Sequence, residues 1–233
     1  MRSRSHKIII KVKNLWKSFG PVGKRVPVLR GINLNFYSGE FAIIFGPSGC
    51  GKSTLLHTIL GLEEPDRGKV YLRGKSLYHM SEDSRALWRR KKVGMVFQQS
   101  NWIKSMTVWE NVGYPLMLEG YPERRIFEKA LEELKRVGLE KMVFQKPTEL
   151  SGGEQQKAAL ARALITDPGI IICDEPTGNL DSKSGLELIG ILKKLNEVQR
   201  KAILMVTHER SFLSYATRRI FMKDGRVVED EHN

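Results

Sequence analysis

Apolar and polar positions follow three different rhythms along this chain. Between residues 7 and 45 the apolar positions come in short runs: Ile8-Ile9-Ile10 with Val12, then Val26–Leu29, then Ile32, Leu34 and Phe36 in strict alternation. Turns containing Gly and Pro separate them, so the stretch predicts strands, the last one half-buried. Phe41–Phe45 is apolar without interruption and short enough for a fully buried strand; Leu55–Leu60 behind it predicts a helix. A turn at Pro65-Asp66-Arg67-Gly68, a strand from Lys69 to Leu72, a helix over 82–91 and a strand from Val93 to Phe97 follow. From about 99 to 150 the period becomes helical. Over 123–137, Ile126, Phe127, Ala130, Leu131, Leu134 and Val137 share one face, and Gly138 ends the helix. This stretch predicts an inserted helical subdomain. From Leu150 onward helix and strand alternate. Apolar strands at Ile170–Cys173 and Ala202–Val206 enclose a helix with Leu188, Leu192 and Leu195 on one side. That order predicts an α/β fold with a mainly parallel sheet and helices on both faces.

The stretch joining the buried strand to the first helix is Gly46-Pro47-Ser48-Gly49-Cys50-Gly51-Lys52-Ser53-Thr54. Strand, glycine-rich loop and helix together make the G-x-x-x-x-G-K-[ST] spacing a phosphate-binding loop. Glycines let successive N–H groups converge on phosphate oxygens, and the helix directs its positive dipole end at the same anion. Lys52 is the group to neutralise β- and γ-phosphates, and the Ser53 hydroxyl is a Mg²⁺ ligand. A strand–turn–helix corner with spare glycines is the blander alternative, and the flanks argue against it.

Composition narrows the class. At 233 residues, with 41% apolar and 28% charged residues, the chain suits one soluble domain with subdomains. No apolar run approaches the roughly 18–20 residues that span a bilayer, and Ile8–Ile10 behind Arg2, Arg4 and Lys7 is too short for a signal peptide, so a cytoplasmic chain is expected. Cys50 lies inside the loop and Cys173 ends a strand, which suggests neither a disulfide nor a metal site. The net charge of +13 is uneven. Nine Lys or Arg residues precede the first acidic one, Glu40, and Arg85, Arg89, Arg90, Lys91 and Lys92 cluster again. Nucleic acid, an anionic membrane surface, an acidic partner or a plain solvated face would all account for it.

Two further stretches carry chemistry. Ile170–Glu175 is a buried strand ending in two carboxylates, at the strand end where ligands of open α/β sheets bind. Asp174 is placed to hold Mg²⁺ through water, and Glu175 to act as general base on the attacking water. In Leu150-Ser151-Gly152-Gly153-Glu154-Gln155-Gln156, Ser151 and Glu154 form a capping box. Two glycines in that first turn weaken a helix by about 1 kcal/mol each, so capping alone does not explain them; exposed N–H groups there are an anion site.

Gly46–Thr54, Gln98, Leu150–Gln156, Ile170–Glu175, Gly178-Asn179-Leu180-Asp181 and Thr207-His208 resemble, in that order, the motifs of ATP-binding cassette (ABC) ATPases. The resemblance covers nearly the whole chain. It implies a P-loop ABC ATPase fold: a RecA-like, mainly parallel core, an N-terminal antiparallel β subdomain and an inserted α-helical subdomain. The expected layout is a single domain, residues 1–233, with a nucleotide-binding core and β subdomain over 1–98 and 158–233 and the helical subdomain, with its signature, over 99–157. It further implies head-to-tail homodimers holding two ATP, with Ser151, Gly152 and Gly153 contacting the nucleotide bound by the other protomer's loop. Gln98 resembles the glutamine that binds Mg²⁺ and water and senses a membrane partner. His208 resembles the γ-phosphate switch, and Asp181 the aspartate coupling the two sites. Phe19, or else Trp16, resembles the adenine-stacking aromatic; either could be core.

Two departures stand out. Lys157 replaces a common arginine, and Ser100–Ser105 lacks the usual Leu-Pro turn. The Asp174–Asp181 and Met106–Val112 runs look most like the lipoprotein-release and macrolide-export group. The resemblance therefore implies a peripheral ATPase on the cytoplasmic face of the cell (inner) membrane, with ATP and Mg²⁺, driving a separate transmembrane permease. Trp102, Ile103 and Trp109 would line a groove for a permease helix or pack the subdomain core. A cell-division regulator paired with a related permease is an alternative. A non-transport relative acting on nucleic acid is another, but no nucleic acid is expected: only 99 positions separate Lys52 from Ser151, with no coiled-coil insertion, and there is one cassette.

Overall fold

The computed structural model describes residues 7–21 and 23–232, so Arg2 and Arg4 lie outside the described residues. In chain order the elements begin with β1 (Ile8–Phe19), β2 (Val26–Tyr37), β3 (Phe41–Phe45), α1 (Lys52–Ile59), β4 (Arg67–Leu72), β5 (Lys75–Ser76) and α2 (Glu82–Lys92). They continue with β6 (Val93–Phe97), α3 (Val108–Met117), α4 (Glu123–Arg136), α5 (Gly152–Leu164) and β7 (Ile170–Asp174). The last are α6 (Ser182–Gln199), β8 (Ala202–Thr207), β9 (Arg218–Lys223) and β10 (Arg226–His232). Two compact units result, one built from the chain up to Leu87 and again from Asn196, the other from Trp88–Leu195.

In the first unit β3 is the central strand. It pairs in parallel with β8 on one side and β9 on the other, and β10 runs antiparallel to β9. Phe41, Ala42, Ile43 and Ile44 are all fully buried. A strand covered on both faces has no solvent side to alternate with, hence its unbroken apolar run. Each large side chain so buried is worth about 1.5–3 kcal/mol.

The antiparallel sheet of this unit has the order β2-β1-β4-β5. Here the strands differ from the expected pieces. Val26–Leu29 and Ile32–Phe36 belong to one continuous β2, and β1 runs on to Phe19. Bulges absorb the breaks: the β1–β2 register shifts between Val12 and Leu15 and again twice before Ser18. Asn33 bridges the irregularity, its Oδ1 accepting from the Asn14 N–H at 2.9 Å and its Nδ2 donating to the Gly31 carbonyl at 3.1 Å. The second basic cluster lies on α2, which buries no residue. Arg85 pairs with Glu82 there, and Arg90 with Glu119 at 3.4 Å.

In the second unit β6 and β7 pair in parallel, and α5 packs on β6 and on both α3 and α4. Val112 and Leu116 on α3 and Ile126, Ala130 and Leu134 on α4 are all buried, and the two helices pack together. Helices α3 and α4 approach closely at Gly113, where a Cβ would fall 2.3 Å from Ile126 Cγ2. Phe127, expected on the buried face, is half-buried and stacks on the largely exposed Phe144 at 5.9 Å, with Trp109 at its edge.

Candidate functional site

The phosphate loop leaves β3 and turns into α1 through Gly51, the N-cap, at φ +102°. Only glycine takes that conformation without strain, and a Cβ there would also strike the Val28 carbonyl at 2.9 Å. Gly46 is more confined: a Cβ would lie 2.3 Å from the Met222 carbonyl and 2.8 Å from Cys50 Sγ. The glycines thus let the loop lie tight on β2 and β9. Cys50 and Cys173 are both buried free thiols, and burial pushes both upward in pKa. Pro47, Ser48 and Gly49 face solvent, while Ser53 and Thr54 are half-buried.

Lys52 is 4% exposed, and its ammonium donates to the Gly46 carbonyl at 2.8 Å and the Pro47 carbonyl at 3.1 Å. The cation is thereby held within the loop's own curve. No acidic residue occupies the first turn of α1, so the positive end of the helix is left uncompensated by its own side chains. An anion is what this arrangement suits.

His208 is exposed and directly follows β8. Because β3 and β8 are parallel with Phe45 opposite Thr207, the loop and His208 leave the sheet at the same end. The structure therefore brings these two together. At the end of β1, Phe19 is 41% exposed with the Lys17 ammonium 5.0 Å over its ring. Trp16 is committed to packing: its Nε1 donates to Asn14 Oδ1, and its ring backs Gly31.

The second unit holds the carboxylates. Phe97 pairs with Asp174 in the parallel β6–β7 ladder, so Gln98 and Glu175 leave adjacent strands at the same end. Glu175 is half-buried and adopts φ +46°. A non-glycine residue held there costs of order 1–3 kcal/mol, a strain that clusters at functional sites. Gln98 is exposed, and its Nε2 donates to Asn179 Oδ1 at 3.4 Å. Asp181 accepts the Ser184 N–H at 3.0 Å and the Ser184 hydroxyl at 2.7 Å, which holds its carboxyl below the usual range.

The capping box at Ser151 is complete. Ser151 Oγ accepts from the Glu154 N–H, and Glu154 accepts from the Ser151 N–H at 2.8 Å and its hydroxyl at 2.7 Å. These bonds lower the Glu154 pKa. Gly153 has a packing reason as well, since a Cβ there would sit 2.7 Å from Ser184 Oγ. Gly152 has none, with nothing nearer than 3.7 Å. Lys157 pairs with Glu187 at 2.5 Å. Trp102 is occupied by the guanidinium of Arg162, 4.6 Å over its ring.

The donors expected around a metal, the Ser53 hydroxyl, the Asp174 carboxylate and the Gln98 amide, all offer hard oxygen. Among the described residues no group of three or more His, Cys, Asp or Glu gathers into a metal cage. Within the second unit, Asp174 and Gln98 at the ends of adjacent strands offer a carboxylate and an amide oxygen, donors that suit Mg²⁺ and do not suit zinc.

A family model described as ABC transporter matches residues 29–178. The chain belongs to the ABC transporter family. The macrolide export ATP-binding/permease protein MacB of Bdellovibrio bacteriovorus is 44% identical over 96% of this chain, which spans 34% of that protein. The lipoprotein-releasing system ATP-binding protein LolD of Syntrophus aciditrophicus is 39% identical, covering 94% of this chain and 99% of its own. Among solved structures, a dimeric, post-hydrolysis state of the ATP-binding cassette MJ0796 from Methanocaldococcus jannaschii, bound to ADP and Pi, superposes with a TM-score of 0.89. It is 40% identical and covers 96% of this chain and 98% of that one. This ABC cassette is the ATP-binding subunit of an ABC transporter and an ATPase.

Sequence reasoning gave no role to Gln156, Arg162 or Asn179. Gln156 had a visible signal: it shares its helix face with Leu160, Ala163 and Leu164, all buried. A polar residue on such a face needs partners.

Proposed function

We propose that this cassette closes head-to-tail around two ATP and drives a separate transmembrane permease, in export, lipoprotein extraction or mechanotransmission, from the cytoplasmic face of the cell membrane. The MacB relative is named as ATP-binding and permease protein together, and this chain spans only a third of it. No helix among the described residues is long and apolar enough to cross a membrane. The LolD relative, named as a lipoprotein-releasing ATP-binding protein, is matched over nearly its whole length.

The observation that carries the chemistry is Glu175, half-buried and held at φ +46° directly after Asp174. Its carboxylate takes a proton from water as the water oxygen attacks the γ-phosphorus. The bond from that phosphorus to the bridging oxygen breaks, and ADP and phosphate leave without a phosphoenzyme. Lys52 and the loop N–H groups neutralise the phosphates, and His208 contacts the γ-phosphate. Ser53, Asp174 and Gln98 would hold Mg²⁺, which when bound would supply charge neutralisation to the phosphates. Phe19 stacks on adenine. Ser151, Gly152 and Gly153 meet the partner's nucleotide, and Asp181 couples the two sites.

Glu175→Gln should bind ATP normally, lose turnover and elute as a dimer in ATP but not ADP. Rapid turnover by that variant would remove the base. Used as bait with ATP in detergent-solubilised membranes, it should recover a multi-span permease; recovery of RNA, ribosomes or DNA instead would overturn the transport reading and leave the ATPase chemistry standing.

A further inference from the structure

Between β6 and α3 the chain has no regular structure, yet it is firmly held. Gln156 on α5 is 4% exposed, and its Nε2 donates to the Phe97 carbonyl at 3.1 Å and the Gln98 carbonyl at 2.8 Å. Its Oε1 accepts from the Ser100 hydroxyl at 3.5 Å. Six residues further along α5, the Arg162 guanidinium donates to the carbonyls of Ser100 and Asn101. Arg162 also lies over Trp102, whose Nε1 donates to Gln155 Oε1 at 3.2 Å. Four backbone carbonyls of residues 97–101 are thus taken by side chains of one helix, and Asn101 is kept at φ +45°. Beside this clamp lies an open pocket of about 320 Å³, bordered by Gln98, Trp102, Gly152, Gln155, Asn179 and Leu180. The Gln98 side chain has room to move while its backbone does not.

We propose that Gln156, with Arg162 and Trp102, is a positioning residue for turnover: it locks the Gln98 backbone to α5, so that Gln98 and the Ser151–Gly153 turn shift as one body. This rests on the role given above to Gln98. In a head-to-tail dimer the two ends of that body serve different nucleotides. Displacing the Ser151 turn at one site therefore displaces Gln98 at the other, which is a mechanical coupling of the two sites. A clamp that only stabilised α5 would not need to act through Gln98, and that difference can be measured.

The test uses the full chain with Mg²⁺ and ATP. Gln156→Leu and, separately, Arg162→Lys, which keeps charge but loses the planar fork and the stack, are made in the wild-type and Gln98→Ala chains. In the wild-type background kcat should fall about 10-fold or more, the usual effect of removing a group that orients a metal or water ligand. In the Gln98→Ala background the same changes should cost less than about twofold, since effects acting through one group do not add. Affinity for a fluorescent ATP analogue should stay within about twofold throughout. Equal losses in both backgrounds, or a loss of affinity in step with kcat, would overturn the proposal alone. Full turnover by Gln98→Ala would remove the role of Gln98 and the proposal with it. Should Gln156→Leu fail to fold, Arg162→Lys decides.

Discussion

Arg218 is buried with one countercharge, Glu40, while the other, Asp230, lies at the surface. It makes two 2.8 Å bonds to Asp230, donates to the Asn35 carbonyl and meets Glu40 at 3.5 Å. Its guanidinium also lies over Phe36 and Tyr37. Removing Arg218 leaves the buried Glu40 carboxylate uncompensated, so Arg218→Met should cost about 3–5 kcal/mol in urea melts at pH 7. The Arg218 bonds hold the Asp230 carboxyl below the usual range. The stability this adds is present above the ordinary aspartate value of about 3.9 and is lost as pH falls through the lower folded value. Burial pushes Glu40 upward, against the pull of the Tyr37 N–H and Arg218. Arg218→Met should therefore lose less stability than wild type when melts are repeated between about pH 5 and pH 2. None of this was legible beforehand. Arg218 reads as one more cation of a basic chain, and its carboxylate Glu40 stands 178 positions away.

At the scale of elements, α5 does two jobs at its first turn. Ser151 closes the capping box, while Gly153 admits the close approach of Ser184. Ser151→Ala should lose about 1 kcal/mol of stability through the cap. Ser151→Thr should restore it, because threonine caps nearly as well. Chemical melts of both variants check this. If Ser151 also meets the partner's nucleotide, Ser151→Ala should weaken ATP-dependent dimer formation more than Glu154→Ala does, although each breaks the same box. The capping box, β3, β6 and the phosphate loop were legible because their causes lie within a few residues. The full length of β1 and β2 was not. Bulges and the Asn33 bridge carry both strands through positions that read locally as turns.

At the scale of the whole molecule, ligand and partner bear on stability by mass action. ATP at 100 times its Kd should stabilise the folded chain by about 2.7 kcal/mol. In Glu175→Gln the thermal midpoint with ATP should also rise with protein concentration, because dimerisation is then linked to folding. Lys52→Ala should abolish both effects. Scanning calorimetry at two protein concentrations reads them, and an unchanged ATP shift in Lys52→Ala would refute the phosphate role of that lysine. The chain's own order of residues determined the strand–loop–helix at Gly46–Thr54, the carboxylates ending β7, the capped signature helix and the family, since each is set by spacing along a local run. Tertiary structure alone decided that Trp16 packs while Phe19 stays open, that Gly113 and Gly46 are close approaches, and that Gln156 and Arg162 fasten the Gln98 segment. Those depend on groups tens of residues apart meeting at hydrogen-bond or van der Waals distance, and a contact of that kind leaves no period in the sequence.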